Sequence, residues 1–173
     1  AQDLEKDPEV LFLRGHIALQ KGDIKLAVDF FDAALKENPN YVEALNNAAV
    51  LYLKVKDYAA AHETMEKVVK MAPGFAPAWL NLGTAQRGIR KFEEAEKSWQ
   101  HVLELDPEQA LAKYNLGVLY LETQLPGRDR EQQLNASSDE LNAYKDAIGP
   151  TRREEIVEVD RVIAEVQRQK DLE

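Results

Sequence analysis

The stretch APAWLNLGTAQRGIRKFEEAEKSWQHVLELDPEQ, residues 76–109, decides the fold of this 173-residue chain. Its length recurs upstream, because Pro39, Pro73 and Pro107 stand 34 residues apart. Other columns repeat in the same register: Gly15, Ala49, Gly83 and Gly117; Ala27, Ala61 and Ala95; Leu11, Leu45 and Trp79; Ile24, Tyr58 and Phe92; Phe31, Met65 and Trp99. A fixed period of about 20 to 50 residues is the signature of a stack of structural repeats.

Each repeat carries the pattern of two amphipathic helices. Apolar residues recur three and four positions apart, as at Leu45, Ala48 and Tyr52. Glycine inside a helix costs about 1 kcal/mol, so Gly15 in mid-helix indicates that another helix approaches closely there. We expect the alanine column that includes Ala27 to face this small column. The prolines end each unit because proline interrupts a helix.

These residues resemble a known repeat. The pattern that resembles one tetratricopeptide repeat (TPR) is Trp79, Leu82, Gly83, Phe92, Ala95, Trp99, Val102 and Pro107. The resemblance implies an all-α fold, a right-handed α-α superhelix (TPR solenoid) with a C-terminal capping helix, in one domain of residues 1–173. Its repeats are 8–41, 42–75, 76–109 and an irregular fourth, 110–150, with an inserted turn; the capping helix is 151–173. Arg14, Gln86 and Lys113 depart from the family pattern by being polar.

The irregular fourth repeat is expected to keep its first helix from Ala110 to Glu122 and to place its second helix at Leu134 to Ile148. Ser137, Leu141 and Tyr144 would point inward. The last helix has a single apolar stripe that includes Val159 and Val166, which suits a helix that solvates one end of a repeat stack.

The composition disfavours several classes of partner. A net charge of -9 and a pI near 5.0 argue against nucleic acid, which is bound through basic surfaces. Arginines such as Arg128 and Arg130 alternate with acids and predict a solvated mixed-charge surface. The chain has no cysteine and no apolar run of the roughly 20 residues that cross a bilayer, so we expect no transmembrane segment in it.

No arrangement typical of catalysis emerges. His16, His62 and His101 are far apart and show no metal-ligand spacing. The glycines form no phosphate-binding loop, and no serine or threonine has a histidine and a carboxylate at a familiar spacing. We therefore predict that the chain is not an enzyme, and we assign it no catalytic, cofactor-binding or metal-binding residue.

In the TPR family the first helix of each repeat lines the concave surface where partners usually bind. The resemblance places these residues there: Phe12, His16, Asn46, Asn47, Val50, Leu53, Leu80, Asn81, Thr84, Arg87, Tyr114, Asn115, Val118 and Leu121. An apolar patch framed by polar residues is typical of a binding surface. The alternative is that the last helix or the inserted turn covers part of it.

The recurring amides Asn47, Asn81 and Asn115 have two interpretations. They can grip the backbone of an extended peptide, since an amide both donates and accepts, or they can bridge neighbouring helices. Some relatives bind a C-terminal carboxylate through lysines and asparagines. Here Phe12 and His16 occupy such positions and Pro77 replaces a lysine, which favours an apolar peptide or a partner helix.

We therefore expect an interaction scaffold that binds an extended or helical segment of a protein partner within a multiprotein complex. A self-assembling homo-oligomeric solenoid and a helper domain of a larger enzyme are the alternatives. The turn from Leu125 to Arg130, with the helices after it, resembles bacterial cell-envelope TPR proteins of the pilus and gliding-motility assembly type. That resemblance implies a periplasmic or envelope location, with the cytoplasm as the alternative. The first residue is not methionine, so removal of an upstream signal or anchor stays open.

Overall fold

The protein is described by a computed structural model over residues 4–172, and its regular structure there is entirely helical. The helices are α1 (Pro8–Gln20), α2 (Ile24–Glu37), α3 (Val42–Lys54), α4 (Tyr58–Met71), α5 (Ala76–Gly88), α6 (Phe92–Leu105), α7 (Ala110–Glu122), α8 (Arg130–Ile148) and α9 (Arg153–Lys170). The predicted all-α TPR fold is confirmed.

The chain divides into two compact units, unit 1 ending at Ile89 and unit 2 beginning at Arg90. The boundary falls between the two helices of the third repeat. The expected single domain of residues 1–173 includes residues outside the described part of the chain, at 1–3 and 173, and stays a prediction.

The helix boundaries follow the sequence period. First helices begin at residues 8, 42, 76 and 110, and second helices at 24, 58 and 92. The helix α7 has the bounds expected for it, whereas α8 begins at Arg130 instead of Leu134. The earlier start follows from Asp129, whose carboxylate accepts a hydrogen bond of 2.9 Å from the backbone N–H of Gln132 and so caps the helix.

A left-handed residue turns the chain between the two helices of each of the first three repeats. Gly22, Lys56 and Arg90, which are 34 residues apart, have φ values of 78°, 62° and 65°. The following Asp23 and Asp57 each accept a hydrogen bond from the backbone N–H three residues on, which caps α2 and α4. Glycine adopts this conformation without strain, but lysine and arginine do not.

In unit 1 the hairpin helices approach closely where a small residue faces a bulky one. A Cβ atom added to Gly15 would lie 2.5 Å from Cε1 of Phe31, a fully buried side chain. In the second repeat the equivalent residues are Ala49 and Met65, both fully buried in one hydrophobic cluster. The expectation that alanines explain the small column is therefore wrong at Gly15, because its nearest neighbour is the Phe31 ring.

Unit 2 repeats this packing with other side chains. A Cβ atom on Gly117 would lie 2.7 Å from Cγ of Leu141, and the hydroxyl of Ser137 donates a hydrogen bond of 2.6 Å to the Gly117 carbonyl. Ser137, Leu141 and Tyr144 are buried, as expected. The hydrophobic cluster is completed by Val159 and Val166 of α9.

The turn between α7 and α8 is fixed by a buried carboxylate. Glu96 is 4% exposed and pairs with both guanidinium nitrogens of Arg128, at 2.7 Å each. The hydroxyl of Tyr120 donates a hydrogen bond of 2.6 Å to the same carboxylate. Burial, followed by the Glu96 contact, raises the pKa of Tyr120 to about 12. The bidentate geometry is typical of a strong ion pair.

Two further side chains satisfy the carbonyls at the end of α7. Arg130 donates to the carbonyls of Tyr120 and Leu121 at 2.8 and 2.7 Å, and Gln133 donates to the Tyr120 carbonyl at 2.9 Å. Helix ends leave carbonyls without helical partners, so these bonds fix the turn onto the helix. The predicted solvated mixed-charge surface is wrong at Arg128 and Arg130, which hold this turn in place.

Candidate functional site

Hydrogen bonds between side chains join the first helices of unit 1. Nδ2 of Asn47 on α3 lies 2.9 Å from Nε2 of His16 on α1, and Nδ2 of Asn81 on α5 donates to Oδ1 of Asn46 at 3.1 Å. These bonds place α1, α3 and α5 side by side and hold their polar side chains in fixed positions. The three helices therefore form a continuous surface in unit 1.

The bridging interpretation of the recurring amides thus describes Asn47 and Asn81. Their peptide-binding interpretation is still compatible with the geometry. Each amide has both a donor group and an acceptor oxygen, and each of these bonds uses only one of them. Because Asn46 accepts through Oδ1, its NH2 group is available to a ligand. Asn115, the third member, is half-buried on α7 in unit 2.

Aliphatic side chains lie beside these amides. Val50 and Leu53 on α3 and Leu80 on α5 are each half-buried. Thr84, one turn after Leu80, donates its hydroxyl proton to the Leu80 carbonyl at 3.0 Å, so its methyl group can be presented outward. Arg87, also half-buried, lies in the last turn of α5 and adds a positive charge. This part of the surface is apolar with a cationic end.

Phe12 and His16 contribute to the interior more than the sequence indicated. The ring of Phe12 lies 5.7 Å from Phe31 and 5.0 Å from Tyr41, between centroids, and packs against two buried clusters. His16 contacts Phe31 edge-on at 5.7 Å. The expectation that these side chains are not needed for internal packing is therefore wrong for Phe12, whose ring fills the space between α1, α2 and the start of α3.

In unit 2 the corresponding surface of α7 is covered by the chain itself. Tyr114, Val118 and Leu121 pack in one cluster with Val159 and Val166 of α9, and Leu121 is only 8% exposed. The alternative in which the last helix covers part of the surface therefore describes unit 2. Leu121 is corrected from a candidate ligand contact to a core residue.

Polar contacts fasten α9 in this position. The hydroxyl of Tyr144 on α8 donates to the Glu155 carboxylate at 3.0 Å, and Lys145 forms an ion pair with Asp160. Burial, and then the hydrogen bond to Glu155, raises the pKa of Tyr144. The last helix is thus held to α8 by both apolar and polar contacts.

Other kinds of site are not evident in the part of the chain that the structure describes. Within residues 4–172, no three His, Asp or Glu side chains are grouped so that they could hold a metal ion. None of the helices described is both long enough and apolar enough to span a bilayer.

Comparisons with known proteins identify the repeat. Two tetratricopeptide-repeat family models match the chain, over residues 18–85 and 80–143. The chain is also 30% identical to MamA (residues 41 to the end) from Desulfovibrio magneticus RS-1, over 80% of this chain and 76% of that chain, with a TM-score of 0.69. The chain belongs to the tetratricopeptide-repeat family. The resemblance inferred from the sequence is therefore confirmed.

Other similar proteins cover parts of this TPR chain. The first TPR domain of Spaghetti (RPAP3), solved bound to the HSP90 peptide SRMEEVD, is 26% identical over 68% of this chain and 92% of that domain, with a TM-score of 0.63. The uncharacterised protein ycf37 of Pyropia yezoensis is 44% identical over 55 residues. The match spans about a third of that curated relative, 31% of its length. The predicted envelope location stays a prediction.

Proposed function

We propose that this TPR protein is an interaction scaffold that binds a segment of another protein on unit 1, as a component or assembly factor of a multiprotein complex. TPR proteins are typically scaffolds without catalysis of their own, which supports this general role. The proposed surface, called the unit 1 face below, consists of Asn46, Asn47, Val50, Leu53, Leu80, Asn81, Thr84 and Arg87.

The observation that carries the proposal is the pairing of fixed amides with half-buried aliphatic side chains on α3 and α5. The bond between Asn46 and Asn81 holds both amides in place, so a partner that binds them loses little additional side-chain freedom on the scaffold. Val50 and Leu53 offer apolar area next to them. Such a combination suits a partner that has one apolar stripe and a polar edge.

The form of the partner is helical or extended, and α9 supports the helical form. In unit 2 the chain places its own amphipathic helix against Val118 and Leu121, which are equivalent by the repeat to Val50 and Leu53. A partner helix with aliphatic residues three and four positions apart would match the unit 1 face in the same manner.

The RPAP3 domain supports peptide binding in general, but the chemistry proposed here differs. Positions that would hold a C-terminal carboxylate are occupied by Phe12, His16 and Pro77. Phe12 packs inward against Phe31 and Tyr41. These residues offer no ammonium group to a carboxylate, so an apolar segment is the ligand that the surface favours.

The test compares two surface variants of the full chain. Leu53→Glu places a charge on the unit 1 face, and Val55→Glu, at a side chain 66% exposed just after α3, is the matched control. After affinity purification from the native cell, the partner recovered with wild type should be lost with Leu53→Glu and retained with Val55→Glu. Equal recovery with both variants, each with wild-type circular dichroism, would reject the unit 1 face. Light scattering on the purified chain separately tests the homo-oligomer.

A further inference from the structure

One side of α1 is uncovered at the positions where the equivalent first helices are buried. The three equivalent columns are Val10, Ala44 and Ala78; Arg14, Ala48 and Leu82; and Ile17, Leu51 and Ala85. The members of these columns on α3 and α5 are all buried, at no more than 7% exposure. On α1, Ile17 is 50% exposed, Arg14 is exposed, and the adjacent Leu13 is 59% exposed.

What covers these columns on α3 and α5 is a helix. Leu51 of α3 packs in one cluster with Ala27 and Phe31 of α2. Ala78 and Leu82 of α5 pack in another cluster with residues of α4, including Val68. In each case the occupant is the second helix of the preceding repeat. The uncovered side of α1 therefore has the side-chain columns that receive a helix in this molecule.

We propose that this side of α1, called the outer α1 face and defined by Val10, Leu13, Arg14 and Ile17, binds an amphipathic helix of a partner protein. The partner helix packs as the second helix of a preceding repeat would. The aliphatic groups of Leu13 and Ile17 supply the contact, and their high exposure is otherwise unfavourable in water. This surface is separate from the unit 1 face.

Charge defines the partner further. Arg14 lies between Leu13 and Ile17, where α3 and α5 have Ala48 and Leu82. A cation in the middle of an apolar contact requires a carboxylate opposite it, so the partner helix carries Asp or Glu within its apolar stripe. A second copy fits less well, because a two-fold contact centred on this face would bring the two Arg14 side chains together.

The sequence of α2 provides a probe, because α2 covers the equivalent columns of α3 and carries Asp29 and Asp32. A labelled peptide of residues 23–38 would be titrated with the full chain and followed by fluorescence anisotropy. We expect Ile17→Asp and Arg14→Glu each to weaken binding by about tenfold or more, as loss of a central contact does at protein interfaces. Val55→Asp is the exposed control and should leave binding unchanged.

A second peptide, with Asp29→Lys and Asp32→Lys, tests the charge. It should bind wild type more weakly than the first peptide and should bind the Arg14→Glu variant more tightly than the first peptide does. No binding of the first peptide at about 1 mM, or equal binding by wild type, Ile17→Asp and Arg14→Glu, would overturn the proposal. Light scattering that detects a dimer dissociated by Ile17→Asp would overturn it in favour of a second copy.

Discussion

Replacing Gly15 by alanine places a methyl group against the ring of Phe31. The added Cβ would lie 2.5, 2.7 and 3.0 Å from three ring carbons, well inside van der Waals contact. The ring is fully buried and also contacts Phe12, so it has little room to move. Overpacking of this kind costs about 1 to 3 kcal/mol. Alanine recovers about 1 kcal/mol of helix propensity. The expected net loss in the free energy of unfolding is about 1 to 2 kcal/mol.

The second repeat provides the compensating change. There the equivalent pair is Ala49 and Met65, and both are fully buried. Methionine is flexible and can bend away from a methyl group where a phenyl ring cannot. In a Phe31→Met background, Gly15→Ala should therefore be neutral or stabilising by up to about 1 kcal/mol, the gain in helix propensity.

The four proteins of this double-mutant cycle would be compared by urea denaturation followed by circular dichroism. The two substitutions should be coupled by about 1 to 2 kcal/mol, which is within the range for contacting residues. If Gly15→Ala destabilises the wild-type and Phe31→Met backgrounds equally, the Phe31 ring does not determine the size of residue 15, and the explanation of the small column is refuted.

Two further predictions concern the turns. In Lys56→Gly a left-handed residue with φ 62° becomes glycine, which should raise stability by about 0.5 to 1 kcal/mol and the thermal midpoint by about 2 to 4 °C, whereas Gly22→Ala should lower both; unchanged melting in both variants would contradict this. The pKa of Tyr120 near 12 lies above the value of about 10 expected in the unfolded chain, so its stabilising contribution is complete below pH 10 and is lost as the pH rises through 12. Ultraviolet titration should show a tyrosine step near pH 12 that is missing from Tyr120→Phe, and its persistence in that variant would assign the step elsewhere.

The regular part of the fold could be predicted because packing and periodicity carry the same information. Each first helix begins 34 residues after the last, and Phe31 and Met65 occupy equivalent buried positions. A side chain that must fill the same space in every repeat leaves the same size of residue at the same interval. The bounds of α7 followed for the same reason.

The parts that could not be predicted lie where the period ends. Nothing in the spacing showed that Arg128 would pair with the buried Glu96, since the two residues belong to different elements and occur once each. Likewise, the apolar stripe of α9 was evident, but its position over Tyr114 depends on the length of the turn before it and on the contact of Tyr144 with Glu155. Contacts made once in a chain leave no repeated signal.

The same column of a TPR can belong to the core or to a binding surface, depending on its neighbour. Leu51 is 3% exposed because α2 covers it, whereas Ile17, at the equivalent position, is 50% exposed. Leu121 is buried under α9, whereas the equivalent Leu53 is half-buried. Because the residue type is similar within each pair, the neighbour and not the side chain sets the role. Binding surfaces in this chain are therefore to be sought where a repeat lacks its usual neighbour, which is the reasoning behind both the unit 1 face and the outer α1 face.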